Sequence, residues 1–286
     1  MTNDAYTLTQ PQVQTSCMVF ASPHSGRHYS REFLRRSILD DVQIRSSEDA
    51  FVDKLVDSAP QFGAPFLAAR MPRAYLDLNR ANDELDPAVV SGIRRPAHNP
   101  RITSGLGVIP RVVAHGRAIY SGKMSLAEAN MRIEKYWNPY HQQLAALMES
   151  TKRRFGRAVL VDFHSMPHEA VRSVGRSGNM RPDVVLGDRF GAAAAGDIVE
   201  RIETVFLEAG LRVSRNSPFA GAYITQAYGR PSRGQHALQI EIDRALYMNE
   251  QHIRPNGNFD NFRKLMTQVV AAIADVGRDN VRLAAE

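Results

Sequence analysis

What most limits the fold of this chain is a set of short, β-rich apolar runs set between longer segments of helical periodicity. Such runs stand at residues 17–21, 158–163, 182–186, 211–213 and 237–242. This alternation is the sequence habit of strands joined by crossover helices, and it implies an α/β fold with a mostly parallel sheet. The helical segments carry their own signals. Ser125-Leu-Ala-Glu128 is a capping box, and Ile133, Trp137, Tyr140, Leu144 and Leu147 continue one apolar stripe toward Phe155. Pro139 is expected to bend or divide that helix. A second helix carries Ile198, Ile202, Val205 and Phe206 on one face and stops at Gly210. A third, amphipathic over residues 262–276, closes the chain. Ser47 is the expected N-cap of a shorter helix through Phe51, Val52, Leu55 and Val56, which would put Glu48 and Asp49 in its first turn. Residues 82–103 read as a long irregular excursion.

At 286 residues the chain has room for one large domain or two small ones. It shows no repeat or linker, so the expectation is a single domain over residues 1–286 with 1–16 as an extended N-terminal segment. Hydrophobic residues make up 43% and charged residues 23%, which excludes the disordered and disulfide-scaffold classes. One cysteine, Cys17, rules out an intramolecular disulfide or a cysteine zinc cluster and fits a reducing cytoplasm. The N-terminus lacks the basic and apolar regions of a secretory signal. No run approaches the ~18 apolar residues of a membrane span. The net charge of +6 is 36 basic against 30 acidic residues, and the basic ones are 31 Arg and 5 Lys. A basic run with interleaved aromatics would suggest nucleic-acid binding, but these arginines are scattered. Guanidinium groups also suit carboxylate partners.

Nucleophile elbows, Walker loops and H-E-x-x-H are absent, and Gly105-Leu-Gly107 lacks the third glycine of a dinucleotide fingerprint. Polar residues recur instead at the ends of strands. His24 follows the first apolar run in Ser22-Pro-His-Ser-Gly26, His164 follows another in His164-Ser-Met-Pro167, and Glu241 lies in a third. In open α/β sheets that edge is where ligands bind. Two imidazoles and a carboxylate brought there are parts of a hydrolytic metal site. Alternation places Gln239 and Glu241 on one face of their strand, away from Ile240 and Ile242. His28, His98, His115, His141 and His252 are read as surface or packing residues.

Seven segments in order, SPHSG (22–26), SEDAFVD (47–53), YLDLNR (75–80), GLGVIPR (105–111), VDFHSMP (161–167), PDVVLGDR (182–189) and ITQAYGRP with HALQIEIDRALYM (224–231, 236–248), resemble the N-formylglutamate amidohydrolase family. The resemblance spans about residues 17–250. It implies a central mixed sheet similar to that of zinc carboxypeptidases and aspartoacylase-type deacylases. It also implies a divalent metal, expected to be Zn2+, and hydrolysis of the formyl amide of N-formyl-L-glutamate or a related N-acyl amino acid, usually in histidine breakdown. Residue by residue it makes His24 and His164 metal ligands, with Asp49 as the third and Glu48 as its alternative, because Ser47 stands where relatives often carry an Asp. Glu241 becomes the general base. Arg80, Arg111, Arg244 and Arg230 become candidates for the substrate carboxylates, Asn79 for the substrate amide, and Asp77 or Asp162 for orienting a ligand histidine. The alternatives are a family-like binding protein without catalysis and, further off, an arginine-rich nucleic-acid binder. A small-molecule substrate, with neither nucleic acid nor membrane as partner, is the expectation carried forward.

Overall fold

Seven strands form one sheet in the computed structural model, which describes residues 1–93, 99–174 and 181–282. In chain order they are β1 (Tyr6–Thr9), β2 (Met18–Ser22), β3 (Phe66–Ala69), β4 (Ala158–Met166), β5 (Val184–Gly187), β6 (Val213–Arg215) and β7 (Gln235–Asp243), arranged β1-β3-β2-β4-β7-β5-β6. The pairings β3-β2, β2-β4, β4-β7 and β5-β6 are parallel, while β1-β3 and β7-β5 are antiparallel. The sheet is therefore mixed and mostly parallel, as expected. Two strands escaped the sequence reading. Residues 1–16 are not merely extended, because Tyr6–Thr9 pairs along β3 as the edge strand. The β3 sequence, Phe-Leu-Ala-Ala, is too short and too uniformly apolar to show a period of two.

Helices cover both faces: α1 (Arg31–Arg36), α2 (Val52–Leu55), α3 (Pro100–Thr103), α4 (Leu126–Arg132), α5 (Asn138–Phe155), α6 (His168–Val174), α7 (Gly196–Glu208), α8 (Tyr223–Tyr228) and α9 (Phe259–Arg282). On one face Val159, Val161 and Phe163 of β4, with Leu238, Ile240 and Ile242 of β7, join residues of α7 and α9 in one apolar cluster. On the other, Ala158, Leu160 and Ala237 pack with Tyr140, Leu144 and Leu147 of α5. That second face changes character along the strands. After Ala158 and Leu160 come Asp162 and His164, and after Ala237 come Gln239 and Glu241, all buried. The period-two alternation thus carries polar groups onto the α5 face at the carboxyl edge of the parallel strands.

Ser125 caps α4 by accepting from the Glu128 main-chain N–H at 3.2 Å, but the Glu128 side chain pairs with Arg36 and Arg132 instead of closing the box. The helix does not simply kink at Pro139. It widens into a π turn at Ile133–Trp137 just before it. Ser47 caps nothing: Phe51 takes a left-handed φ of 67° and α2 starts only at Val52, so Glu48 and Asp49 lie in the preceding turn, outside any helix dipole. β4 runs through His164 to Met166, so His164 is a strand residue and not part of a loop. β6 lies later than expected, and α9 and β7 run longer at both ends. Residues 82–93 are turns and irregular chain with one isolated bridge, Val90 to Met124, and α3 follows at Pro100–Thr103. His98 lies outside the described residues. His28, His115 and His252 are exposed, whereas His141 is buried against Trp137. Gly107 has a packing role, since a Cβ there would stand 2.4 Å from the Glu84 carbonyl oxygen. Gly26 is equally constrained, with the Met71 carbonyl 2.1 Å from such a Cβ.

Candidate metal centre

Gly26 lets the loop after β2 lie directly on the main chain at Met71, and this fixes His24 beneath the strand ends. The turn before α2 is tied to the same loop by the Asp49 N–H, which donates to the His24 carbonyl at 3.0 Å. His164 comes from the end of β4. Three ligand atoms meet: His24 Nδ1 and His164 Nδ1 are 3.1 Å apart, Asp49 Oδ2 is 3.1 Å from His164 Nδ1, and it is 3.5 Å from His24 Nδ1. All three side chains are 2% exposed or less. Among the described residues this is the one group of His, Cys, Asp or Glu side chains with metal-binding spacing.

Both imidazoles are held from behind. His24 Nε2 donates to Asp77 Oδ1 at 2.8 Å, and His164 Nε2 donates to Asp162 Oδ2 at 2.9 Å. Each ring therefore presents its Nδ1 lone pair to the meeting point. Asp49 is held likewise, its Oδ1 accepting from Arg244 Nη2 at 3.0 Å. Three lone-pair atoms facing one another repel unless a proton or a cation stands among them. A tetrahedral ion bound at about 2.0–2.1 Å spaces its ligands about 3.3 Å apart, which this triangle matches. The residues present fit a divalent metal ion.

Charges at the site follow from the same packing. Burial works against ionised Asp49, yet hydrogen bonds from His164 and His24 hold it well below the usual carboxylate range. Burial also opposes a charged His164, but Asp162, Asp49 and Glu241 outweigh it and raise His164 well above the ordinary imidazole value. In the metal-free chain a proton thus occupies the place of a cation at neutral pH. Metal binding must expel it, so affinity should rise with pH, by about tenfold per unit below the His164 pKa. Calorimetric titration with zinc in buffers of different ionisation enthalpy should show at least about one proton released per ion at pH 7, His164 giving up its own and Glu241 adding a fraction as its pKa falls. No proton release would contradict this arrangement.

Glu241 sits beside His164 across the β4-β7 pairing and is 8% exposed. Burial, reinforced by Asp49, pushes its carboxyl up to about 7, against the pull of His164, Arg73 and Arg244. Glu48 is turned elsewhere: its carboxylate accepts from Arg45 Nε and Nη2 at 3.0 and 3.1 Å and from the Tyr29 hydroxyl at 3.1 Å.

The arginines separate by environment. Arg80 is 7% exposed, and its guanidinium donates to the carbonyls of Leu106 and Asn79. Arg111 pairs with Asp86 at 2.9 Å and donates to the Thr103 carbonyl, tying the excursion together. Arg244 donates to Asp49, Ser165 and the Ser46 carbonyl, so its guanidinium hydrogen bonds are made to the protein itself. Arg230 is exposed, and its main chain bridges to Gln235. Asn79 is tied internally, its Oδ1 accepting from the Ile224 N–H at 2.8 Å. The segment bearing Asn79 and Arg80 is clamped from the π turn and from α5: Trp137 Nε1 donates to the Arg80 carbonyl, and His141 Nε2 to that of Leu78.

One residue was missed altogether. Arg73 donates from Nε to Asp77 Oδ2 at 3.0 Å, its side chain is 25% exposed, and its charge reaches Asp49 and Glu241. The only sequence signal was its position four residues before Asp77.

A mixed α/β sheet that gathers two histidines, an aspartate and a buried glutamate at its carboxyl edge defines the class of metal-dependent hydrolases. The comparisons narrow this. The sequence model of the N-formylglutamate amidohydrolase family matches residues 16–248, and the chain belongs to that family. It is 31% identical over 238 residues to an N-formylglutamate deformylase of Pseudomonas aeruginosa, covering 82% of this chain and 83% of the relative. A second such deformylase, from Pseudomonas putida, is 28% identical over 82% of each chain. The crystal structure of N-formylglutamate amidohydrolase from Ralstonia eutropha JMP134 superposes with a TM-score of 0.90 at 34% identity, covering 97% of this chain and 99% of that one. A gene product of Agrobacterium tumefaciens shares the fold at 17% identity and a TM-score of 0.62, over 95% and 96% of the two chains.

Proposed function

We propose that this chain hydrolyses the formyl amide of N-formyl-L-glutamate, or of a closely related N-acyl amino acid, to formate and the free amino acid. The observation that carries the reading is the convergence of His24, Asp49 and His164 beside buried Glu241, in a chain of this family. Those three residues would hold the divalent metal, with zinc the ion their donor set suits best. Bound there, zinc would lower the pKa of a water to about 7 and polarise the formyl carbonyl.

The chain's own residues do the rest. Glu241 accepts the proton of the attacking water as its oxygen bonds to the formyl carbon. It then delivers that proton to the amide nitrogen as the C–N bond breaks, which gives the free amine and formic acid, and the acid's remaining proton leaves to give formate. Asp77 and Asp162 keep the histidine rings aimed, and Arg244 keeps Asp49 aimed. Arg73 and Arg80 supply positive charge for the substrate's carboxylates and carbonyl oxygen. Arg73 is the more open of the two. Arg73→Lys keeps the charge but loses the planar fork, and should raise KM about tenfold with bound metal unchanged. An unchanged KM would make Arg73 a support for Asp77 alone.

No helix among the described residues is long and apolar enough to cross a membrane. The reading is tested by measuring formate, acetate and ammonia release from N-formyl, N-acetyl and N-carbamoyl amino acids, with and without added zinc. Metal-dependent formate release, fastest with N-formylglutamate, is expected. A metal-loaded, folded chain that hydrolyses none of them would favour the binding-protein alternative.

A further inference from the structure

Gln239 is 4% exposed and precedes Glu241 by two residues on the same face of β7. Its surroundings fix which way its amide points. The main-chain N–H of Ala222 lies 3.2 Å from Oε1, and a main-chain N–H can only donate, so the atom there is the oxygen. The same oxygen accepts from Asn79 Nδ2 at 3.3 Å. Asn79 is itself oriented by a main-chain donor, the Ile224 N–H on its Oδ1. Two peptide groups at the start of α8 therefore set the polarity of the whole chain of hydrogen bonds. Its last member is Gln239 Nε2, which donates to Glu241 Oε1 at 2.8 Å. Among the described residues Glu241 Oε2 accepts no hydrogen bond.

We propose that Gln239 is the positioning residue for Glu241, and that it assigns Oε2 as the oxygen that takes and returns the proton during hydrolysis. The inference rests on Glu241 being the general base. A hydroxyl oxygen is a poorer acceptor than a carbonyl oxygen, and Gln239 cannot turn its nitrogen away without setting its oxygen against Glu241 and losing two donors. The neutral acid therefore keeps Oε1 as its carbonyl and carries the proton on Oε2. Water's proton moves to Oε2 as the O–C bond forms, and the same oxygen gives it to the leaving nitrogen as the C–N bond breaks. The carboxyl does not rotate between the two transfers.

A double-mutant cycle tests this. Gln239→Met keeps the length of the side chain and removes the amide. It should lower kcat about tenfold or more, with KM and zinc content unchanged, because a base free to swing loses its aim. In a Glu241→Gln background the same change should cost less than twofold, since its route of action is gone. Equal losses in both backgrounds would overturn the role of Gln239 and leave the base intact. Full activity of Glu241→Gln alone would overturn the base itself. Should Gln239→Met fail to fold, Gln239→Asn, which withdraws the amide by one methylene, is read in the same cycle with the same outcomes.

Discussion

Replacing His164 with alanine should empty the metal centre, lowering zinc affinity by more than 100-fold and abolishing measurable formate release. The lower bound follows from what is lost. Removing a group that merely orients a ligand costs 10–100-fold in affinity, and His164 is proposed as the ligand itself. The change also strips the Asp162 carboxylate, which is 0% exposed, of its one hydrogen bond among the described residues, and deprives Asp49 of a partner at 3.1 Å. A buried carboxylate left unpaired costs about 3–5 kcal/mol, so the variant should also melt earlier. Asp162→Asn separates the two effects. It keeps the shape behind the ring and weakens the hold on Nε2, so affinity should fall 10–100-fold in a folded protein. Zinc per chain by elemental analysis, with circular dichroism as the check on folding, reads both variants. A folded His164→Ala protein that retains stoichiometric zinc would show that the three ligand atoms meet for some other reason.

Legibility in the sequence followed the range of the interactions. Glu241 could be found because a strand's period of two is written locally: Ile240 and Ile242 declare the buried face, and Glu241 must take the other. His164 could be found because it follows an apolar run just before Pro167, although the strand carries on through it. His24 could be found because Pro23 and Gly26 mark the turn that holds it. The third ligand could not be settled. Glu48 and Asp49 are adjacent, and what separates them is the left-handed Phe51, which delays α2 and leaves one carboxylate to Arg45 and the other to the histidines. Nothing in the apolar spacing after Ser47 announces that backbone turn.

The arginines were legible as a group and not one by one. Arg244 lies next in sequence to Asp243, yet its partner Asp49 is 195 residues away. Only the folded chain shows that it aims a carboxylate. Arg73 had no motif of its own, and its importance comes from charges delivered by β7 and by the turn before α2. Gln239 was placed on the correct face by alternation alone. Its amide orientation depends on α8, whose six residues carry too little periodicity to be read in advance.

Glu241→Gln should lower kcat by at least about 100-fold while zinc content stays at the wild-type value. Glutamine preserves the shape of the side chain and still offers an oxygen to Gln239 Nε2. The position of Oε2 is filled by an NH2 group, which cannot accept a proton. The same substitution should stabilise the metal-free protein, and this distinguishes a strained working group from a structural one. The carboxyl is raised from 4.5 to about 7 by burial, with Asp49 adding to the effect. An acid whose folded pKa lies above its unfolded value destabilises the fold at every pH above the unfolded value. The penalty grows from pH 4.5 and is complete above about 7, at up to roughly 3 kcal/mol. At pH 8, then, metal-free Glu241→Gln should melt above metal-free wild type, and at pH 4 the two should coincide. In the loaded enzyme a cation beside Glu241 pulls its pKa down, so the acid limb of kcat/KM should fall at or below pH 7, and the variant should lack it. A variant that is both fully active and no more stable would remove Glu241 from the reaction. A variant inactive but destabilised at pH 8 would mean that its carboxylate holds the sheet edge together. Loss of turnover joined to a gain in stability is what a base held out of water by its neighbours requires.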